Sequence, residues 1–486
     1  MNRSLLVIVV AQYAYVLHDV FASTGVYFGD DWLHLLLSRE VLHRWSVILS
    51  IWGRPAMTAA YIPSARFGRS AVHVEDAVLL AAAVVLTMLI ARSLGLRWWP
   101  AAGVLLLAQP FTVVLFYGAM PEVVLSVLLA LALFLRVRHH RAASLTVASL
   151  LPLARLEFLL VLLVWAAVEL VADRAAWRQL PLLGAGMVAW WGAATIQSGN
   201  PLHLITGNTF VNGAHGFAPA GWRFVFTAGP IVFGGVVCGL LIAAIARRFA
   251  DPLVPAITGT MIVFYALSWS LGLFQTVDTP IYLVSLCVPV SLLCLNALTT
   301  RPGAELPKWR DVIAIGVALL CLFAPSFGTH PPTPALIPRG AIVVALAVLL
   351  MGRTAPSRRR SAALGAVVLV AALAITVADE APLNIDRNQP NAVLSLAMLG
   401  DRATRVSVYA DLAVGYLAGK PGPPGRFVAH ARSGSLGTTL LWESDPVVQS
   451  NQGHLSLRQL EALGYTQLRI AHHGRFTSAL LQRTHP

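Results

Sequence analysis

Charge is what this sequence has least of. Of 486 residues only 22 are acidic and 35 are Lys or Arg, so charged residues make up 12% against 57% hydrophobic. A soluble domain carries about 25% charged residues, so water cannot solvate most of this chain. Cysteine is also scarce: Cys238, Cys287, Cys294 and Cys321 all lie inside apolar runs, with no CxxC spacing. No disulfide framework follows from them, and they read as small core or lipid-facing side chains. The segment Gly419 to Gly425 lacks the GxxxxGK[ST] spacing of a phosphate loop and reads as a turn. No internal repeat is evident.

What is abundant is apolar sequence in long runs. Stretches of about 17–25 residues suit bilayer-crossing helices. They predict spans near 4–22, 71–91, 98–117, 119–137, 142–154, 157–172, 180–197, 225–246, 253–274, 281–298, 311–327, 338–352 and 361–378. The expected architecture is an all-α polytopic membrane protein of about thirteen transmembrane helices. The first run is expected to be an uncleaved helix, although Val20-Phe21-Ala22 loosely fits a signal cleavage site.

The net charge of +13 is explained by where the basic residues fall. Counted from a cytoplasmic N-terminus, alternate loops carry Arg92 and Arg97, then Arg136, Arg138 and Arg141, then Arg174 and Arg178. The same side continues with Arg247 and Arg248, with Arg301, Lys308 and Arg310, and with Arg353 and Arg358 to Arg360. The opposite short loops hold little besides Arg155 and Arg223. This is the positive-inside pattern, and it excludes nucleic acid as the reason for the basic balance.

The external side then receives segment 23–70, the loop 198–224, several short turns, the Pro-rich 328–337 and everything after about 379. The expected division is a membrane domain over 1–378, with 23–70 as its external loop, and an external soluble domain over 379–486. Segment 23–70 predicts two helices, from Asp31 to about Ile51 and from Pro55 to Phe67. The first is too polar to span and suits the membrane interface. In the C-terminal region, 406–409 and 468–471 read as strands and 427–429 as a possible third, with a capping box at Ser456 to Gln459 and a helix stop at Gly464. A strand, helix, strand order suggests a small α/β domain.

Few side chains are available for chemistry. Asp30 and Asp31 stand adjacent at the start of the interfacial helix. One Asp is accounted for as a helix cap. The second is not, and a close like-charge pair raises one pKa toward the range of a general base. Capping and catalysis both stay open on the residues alone. Glu122 follows Pro121 at the external end of its helix, and Arg155 and Glu157 lie at an external junction two helices on. They read either as a structural ion pair with a dipole partner or as the lining of a polar cleft that holds an anionic head group. His34 and His43, nine residues apart, are interfacial histidines before they are metal ligands. Asp278 reads as a turn residue, and Asn200, His203, Asn208, Asn212 and His215 as a polar loop able to touch sugar or phosphate.

The order of several short elements resembles a known family. An acidic pair opens an external helical loop after the first helix. Trp52-Gly53-Arg54-Pro55-Ala56 then leads to Ala65-Arg66-Phe67-Gly68. This is similar to the N-terminal part of GT-C glycosyltransferases, which use a polyprenyl-phosphate sugar as donor, as mannosyl- and arabinosyltransferases of cell envelopes do. Tyr117-Gly118-Ala119-Met120-Pro121-Glu122 resembles the family's Ser-Glu-Pro-type element, and Leu153-Ala154-Arg155-Leu156-Glu157-Phe158 its Arg-x-Glu element. Thr279-Pro280-Ile281-Tyr282-Leu283 is similar to its Arg-Tyr-Leu element, with Ile281 where Arg is common.

The resemblance implies transfer of a sugar from a polyprenyl-phosphate donor to a glycan, lipid or protein acceptor on the external face of the plasma (inner) membrane. It implies Asp30 or Asp31 as base, and Glu122, Arg155, Glu157, His34 and Arg54 around the substrate. No cofactor is demanded; a divalent cation, Mg or Mn, held by the second Asp is the candidate. Membrane lipids are the remaining partners. The rival from another class is a transporter or lipid flippase, which places charges or broken helices at mid-membrane. A non-catalytic scaffold and an envelope polymer ligase or polymerase are further alternatives.

Overall fold

The computed structural model describes residues 2–22, 29–49, 53–116, 118–206, 224–273, 279–299, 431–444, 455–473 and 476–485, with isolated residues at 310, 313–314 and 317. The chain divides into two units. The first comprises Met1–Val20, Ala77–Phe116 and Pro121–Leu383; the second comprises Phe21–Asp76, Tyr117–Met120 and Asn384–Pro486.

The expectation of about thirteen transmembrane helices is corrected. Among the described residues four helices are long and apolar enough to cross a membrane: Ser70–Ser93, Ala228–Ile245, Leu253–Ser270 and Tyr282–Thr299. They make the chain a polytopic membrane protein. The stretches at 311–327, 338–352 and 361–378 lie outside the described residues.

Elsewhere proline cuts the apolar runs. The run at 98–117 becomes two short helices, α5 (Ala101–Leu107) and α6 (Pro110–Leu115), because Pro110 has no N–H to continue the first helix. The run at 142–154 becomes α8 (Arg141–Ala148) and α9 (Leu151–Ala154), with Pro152 at the start of α9. The run at 180–197 opens as a 3-10 segment, Leu180–Gly184, carrying Pro181, before α11 (Ala185–Ser198), and a single turn, α12 (His203–Thr206), follows. Apolar composition alone does not register these breaks.

The first unit is built on α7 (Pro121–Val137), α10 (Leu159–Ala172), α13 (Phe224–Ile245), α14 (Leu253–Ser270) and α15 (Cys287–Thr299). Their facing sides bury Val123, Leu129, Leu133, Trp165, Tyr265 and Leu292. α1 (Asn2–Ala22) is tied to α4 (Arg69–Ser93) by Tyr13 Oη donating to Ala77 O over 2.7 Å. α13 is broken in its middle at Gly234, where φ is 75° and ψ 156°. Pro110 Cδ packs so closely there that an added Cβ would meet it at 3.3 Å. Two helix breaks therefore face each other. Buried Gln109 ties the first of them to α15, donating to Cys287 O at 3.1 Å and Ser291 Oγ at 2.8 Å.

In the second unit the expected helix from Asp31 to about Ile51 is also shorter. α2 covers Gly29–Glu40 and a separate 3-10 turn covers Trp45–Leu49. Between them the backbone bonds of Leu42 and His43 tighten to Arg39 O and Glu40 O, which ends the helix. α3 (Pro55–Ala65) follows, with Pro55 at its first position. The C-terminal segment folds as a three-stranded antiparallel sheet of order β1-β3-β2, from Thr439–Glu443, Tyr465–His473 and Phe476–Arg483. The helix α16 (Leu457–Ala462) carries the capping box of Ser456 and Gln459, and Gly464 follows it at a φ of 86°. Among the described residues the sheet is antiparallel, and the expected strand at 468–471 lies inside β2. The segments 406–409 and 427–429 lie outside the described residues.

Candidate functional site

Three of the expected site residues come together in the first unit. Pro121 and Glu122 open α7, where the free backbone N–H groups favour a carboxylate. Arg155 sits at the break after α9 with φ −151° and ψ 115°, an extended conformation that turns its side chain out of the helical path. Leu156–Phe158 form a 3-10 turn that leads into α10. This break brings Arg155 against Glu122 from 33 residues earlier.

One terminal nitrogen of Arg155, Nη2, pairs with Glu122 Oε1, and the other, Nη1, donates to Glu157 Oε1 over 3.0 Å. The Arg155 and Glu122 side chains are 4% and 0% exposed, and Glu157 is the most open of the three at 13%. Burial by itself would depress the Arg155 pKa. The Glu122 and Glu157 carboxylates outweigh it and hold the guanidinium well above its usual range. The two terminal nitrogens of the fork that the sequence suggested for a phosphate are thus held by carboxylates, and its Nε is buried with no hydrogen-bond partner among the described residues.

Aromatic residues complete the site, and most were not legible beforehand. The Arg155 guanidinium carbon lies 4.0 Å from the centroid of the Tyr282 ring, a cation–π contact. Tyr265 stands 6.1 Å from Tyr282, centroid to centroid, and its hydroxyl reaches to 3.5 Å from Glu157 Oε1. Trp269, one turn along α14, lies 5.9 Å from Tyr265 and receives Phe224 edge-on at 4.6 Å. Tyr282 belongs to a segment already singled out. Tyr265 and Trp269 carried only the i, i+4 spacing of a shared helix face, a signal that any buried helix gives.

The fold so assembled is similar to that of ArnT from Cupriavidus metallidurans, solved bound to undecaprenyl phosphate. The TM-score is 0.60 at 16% identity, over 98% of this chain and 97% of that one. No protein-family model and no curated protein matches the sequence.

The other expected site residues lie in the second unit. Asp30 and Asp31 fall in the first turn of α2, and their side chains lie outside the described residues. His34 is buried one turn on, 3% exposed. Arg54 precedes α3 with φ 50°, a left-handed backbone that a non-glycine residue seldom adopts. Nearby, Tyr61 Oη donates to buried Asp76 Oδ1, an acidic residue that the sequence reading passed over. Among the described residues no group of three or more His, Cys, Asp or Glu is placed to hold a metal ion. Asn208, Asn212, His215 and Asp278 lie outside them.

Proposed function

We propose that this protein is a membrane glycosyltransferase that moves a sugar from a polyprenyl-phosphate donor to an envelope glycan, lipid or protein acceptor. One agreement carries the reading. The short motifs resemble enzymes with a polyprenyl-phosphate donor, and the whole chain shares its fold with a protein solved with a polyprenyl phosphate bound.

In this reading an acceptor hydroxyl oxygen attacks the anomeric carbon of the donor sugar as its bond to the phosphate oxygen breaks. Asp30 or Asp31 takes the hydroxyl proton, polyprenyl phosphate leaves with the bonding electron pair, and the configuration inverts. General-base help of this kind is worth roughly 10²–10⁴ in rate. Arg155, with both terminal nitrogens engaged, serves to fix Glu122 and Glu157. Glu157, the most open member, then accepts hydroxyl hydrogens of the donor. The second Asp holds further donor hydroxyls or a divalent cation, Mg or Mn. The reaction is assigned to the external face, with the N-terminus cytoplasmic, by the distribution of basic residues.

A second reading, a transporter or lipid flippase, is favoured by one observation. The break at Gln109-Pro110 packs on the break at Gly234, among buried Gln109, Ser126 and Ser291. Paired helix breaks within apolar helices are a feature of transport sites.

The deciding experiment is transfer by purified protein from a panel of radiolabelled polyprenyl-phosphate sugars to an extract containing native acceptors. Wild type transfers label, and Asp30→Asn or Asp31→Asn loses it while still binding donor. Absence of transfer by wild type, or transfer untouched by both substitutions, overturns the mechanism and moves the flippase reading forward.

A further inference from the structure

The opposite end of the same helices carries a second charged assembly that the proposed reaction does not use. Arg136 closes α7 and pairs with Glu169 of α10 and, over 3.1 Å, with Asp251. Arg141, at the start of α8, pairs with Glu169 over 3.1 Å and with Asp173 over 2.7 Å. Five charged groups thereby pin the 246–252 turn, the α7–α8 turn and the end of α10 to one another. Around this hub stand four exposed arginines, Arg138, Arg174, Arg178 and Arg248. None of them forms an ion pair with a described residue. Arg138, Arg174 and Arg248 each lie within three residues of a hub member, and Arg178 stands on the 3-10 turn Arg174–Arg178 that follows Asp173, so the hub fixes them at one level of the unit.

That level also has the amphipathic character of a membrane surface. Trp177 is 63% exposed with the Arg178 guanidinium 5.9 Å from its ring centroid, and Val171 is 89% exposed at the end of α10. An indole and an aliphatic side chain held beside unpaired arginines, just past the ends of apolar helices, match the boundary between acyl chains and headgroups. A patch binding soluble polyanions has no use for the exposed Trp and Val.

We propose that Arg138, Arg174, Arg178 and Arg248, with Trp177 as anchor, form a binding surface for anionic phospholipid headgroups of the leaflet at this end of the protein. The arginines supply charge-assisted hydrogen bonds to headgroup phosphate, and the hub's own acids are already consumed by Arg136 and Arg141. A basic residue near an anionic surface contributes about 1 kcal/mol, about fivefold in affinity.

The test is lipid retention by the full chain in detergent, followed by native mass spectrometry with dioleoylphosphatidylglycerol, dioleoylphosphatidylcholine or inorganic phosphate added. Wild type retains phosphatidylglycerol at least tenfold better than phosphatidylcholine, and millimolar inorganic phosphate does not displace it. The quadruple variant Arg138→Gln, Arg174→Gln, Arg178→Gln, Arg248→Gln loses that selectivity, and the matching quadruple Lys variant keeps it. Equal retention of the two lipids, unchanged selectivity in the Gln variant, or displacement by inorganic phosphate overturns the proposal. Should the Gln variant not fold, wild-type retention between 50 and 300 mM salt decides. A fall with salt supports the headgroup surface, and a flat profile overturns it.

Discussion

The guanidinium of Arg155 lies over the ring of Tyr282, 4.0 Å from its centroid, while both of its terminal nitrogens are held by carboxylates. The two terminal nitrogens are therefore held in the guanidinium plane by Glu122 and Glu157 and one face is covered by an aromatic quadrupole, while the buried Nε has no hydrogen-bond partner among the described residues. At a buried cation a contact of this kind is worth about 2 kcal/mol. Tyr282→Leu is expected to lower stability by about that amount, and Tyr282→Phe, which keeps the ring, by much less. Thermal unfolding in detergent followed by tryptophan fluorescence reads both. Equal losses in the two variants would assign the effect to the hydroxyl instead.

The buried pair of Glu122 and Arg155 gives a prediction of a different form. Removing Arg155 strands the Glu122 carboxylate in an apolar setting, at a cost of about 3–5 kcal/mol. Arg155→Met should be severely destabilised, and Glu122→Gln less so, because Glu157 still pairs with the guanidinium. The double variant should lose less than the sum, because Glu122 is no longer buried as a carboxylate without its cation. A double-mutant cycle on unfolding midpoints checks this, and additive losses would show that the two do not act as a pair.

The sequence reading reached this cluster because helix ends carry signals. Pro121 before Glu122, and Arg155 beside Glu157 between two apolar runs, marked places where charge meets a helix terminus. It missed Tyr265 and Trp269, which meet Glu157 and Phe224 from segments distant in the chain, and Asp76, which meets Tyr61 across the turn between two helices. The long apolar runs were legible as membrane sequence. Their division into short helices was not, because hydropathy counts side chains while Pro110, Pro152 and Pro181 act through the backbone. The capping box at Ser456 was readable since its two side-chain bonds close within four residues. β2 and β3 form a local hairpin, whereas the place of β1 beside β3 depends on pairings tens of residues apart, which local patterning does not encode.

Two glycines should respond differently to the same change. At Gly186 an added Cβ would come within 2.3 Å of the Ser149 carbonyl oxygen, so Gly186→Ala forces α11 away from the segment between α8 and α9. Overpacking of this kind costs about 1–3 kcal/mol. Gly192 on the same helix has open space around it, and Gly192→Ala is expected to be neutral or slightly stabilising, since alanine is the better helix former. Unfolding midpoints of the two variants, measured side by side, test the packing of α11. A loss at Gly192 equal to that at Gly186 would refute it.

The link between Arg141 and Asp173 carries a pH dependence with a defined sign. Hydrogen bonds from the Arg141 side chain and from the Ala175 backbone N–H hold the Asp173 carboxyl below its usual pKa. A carboxylate with a depressed folded-state pKa contributes stability that is fully present above its unfolded pKa, about 3.9. That contribution is lost as pH falls through the lower folded value. The unfolding midpoint of wild type is therefore expected to drop between pH 5 and pH 3 by more than that of Asp173→Asn, and the two profiles should run parallel above pH 6. Because Asp173 is open to solvent, salt should narrow the difference between them. A wild-type profile no steeper than that of Asp173→Asn would mean that the Arg141 bond contributes nothing to the folded state, and that Glu169 alone holds α8 against α10.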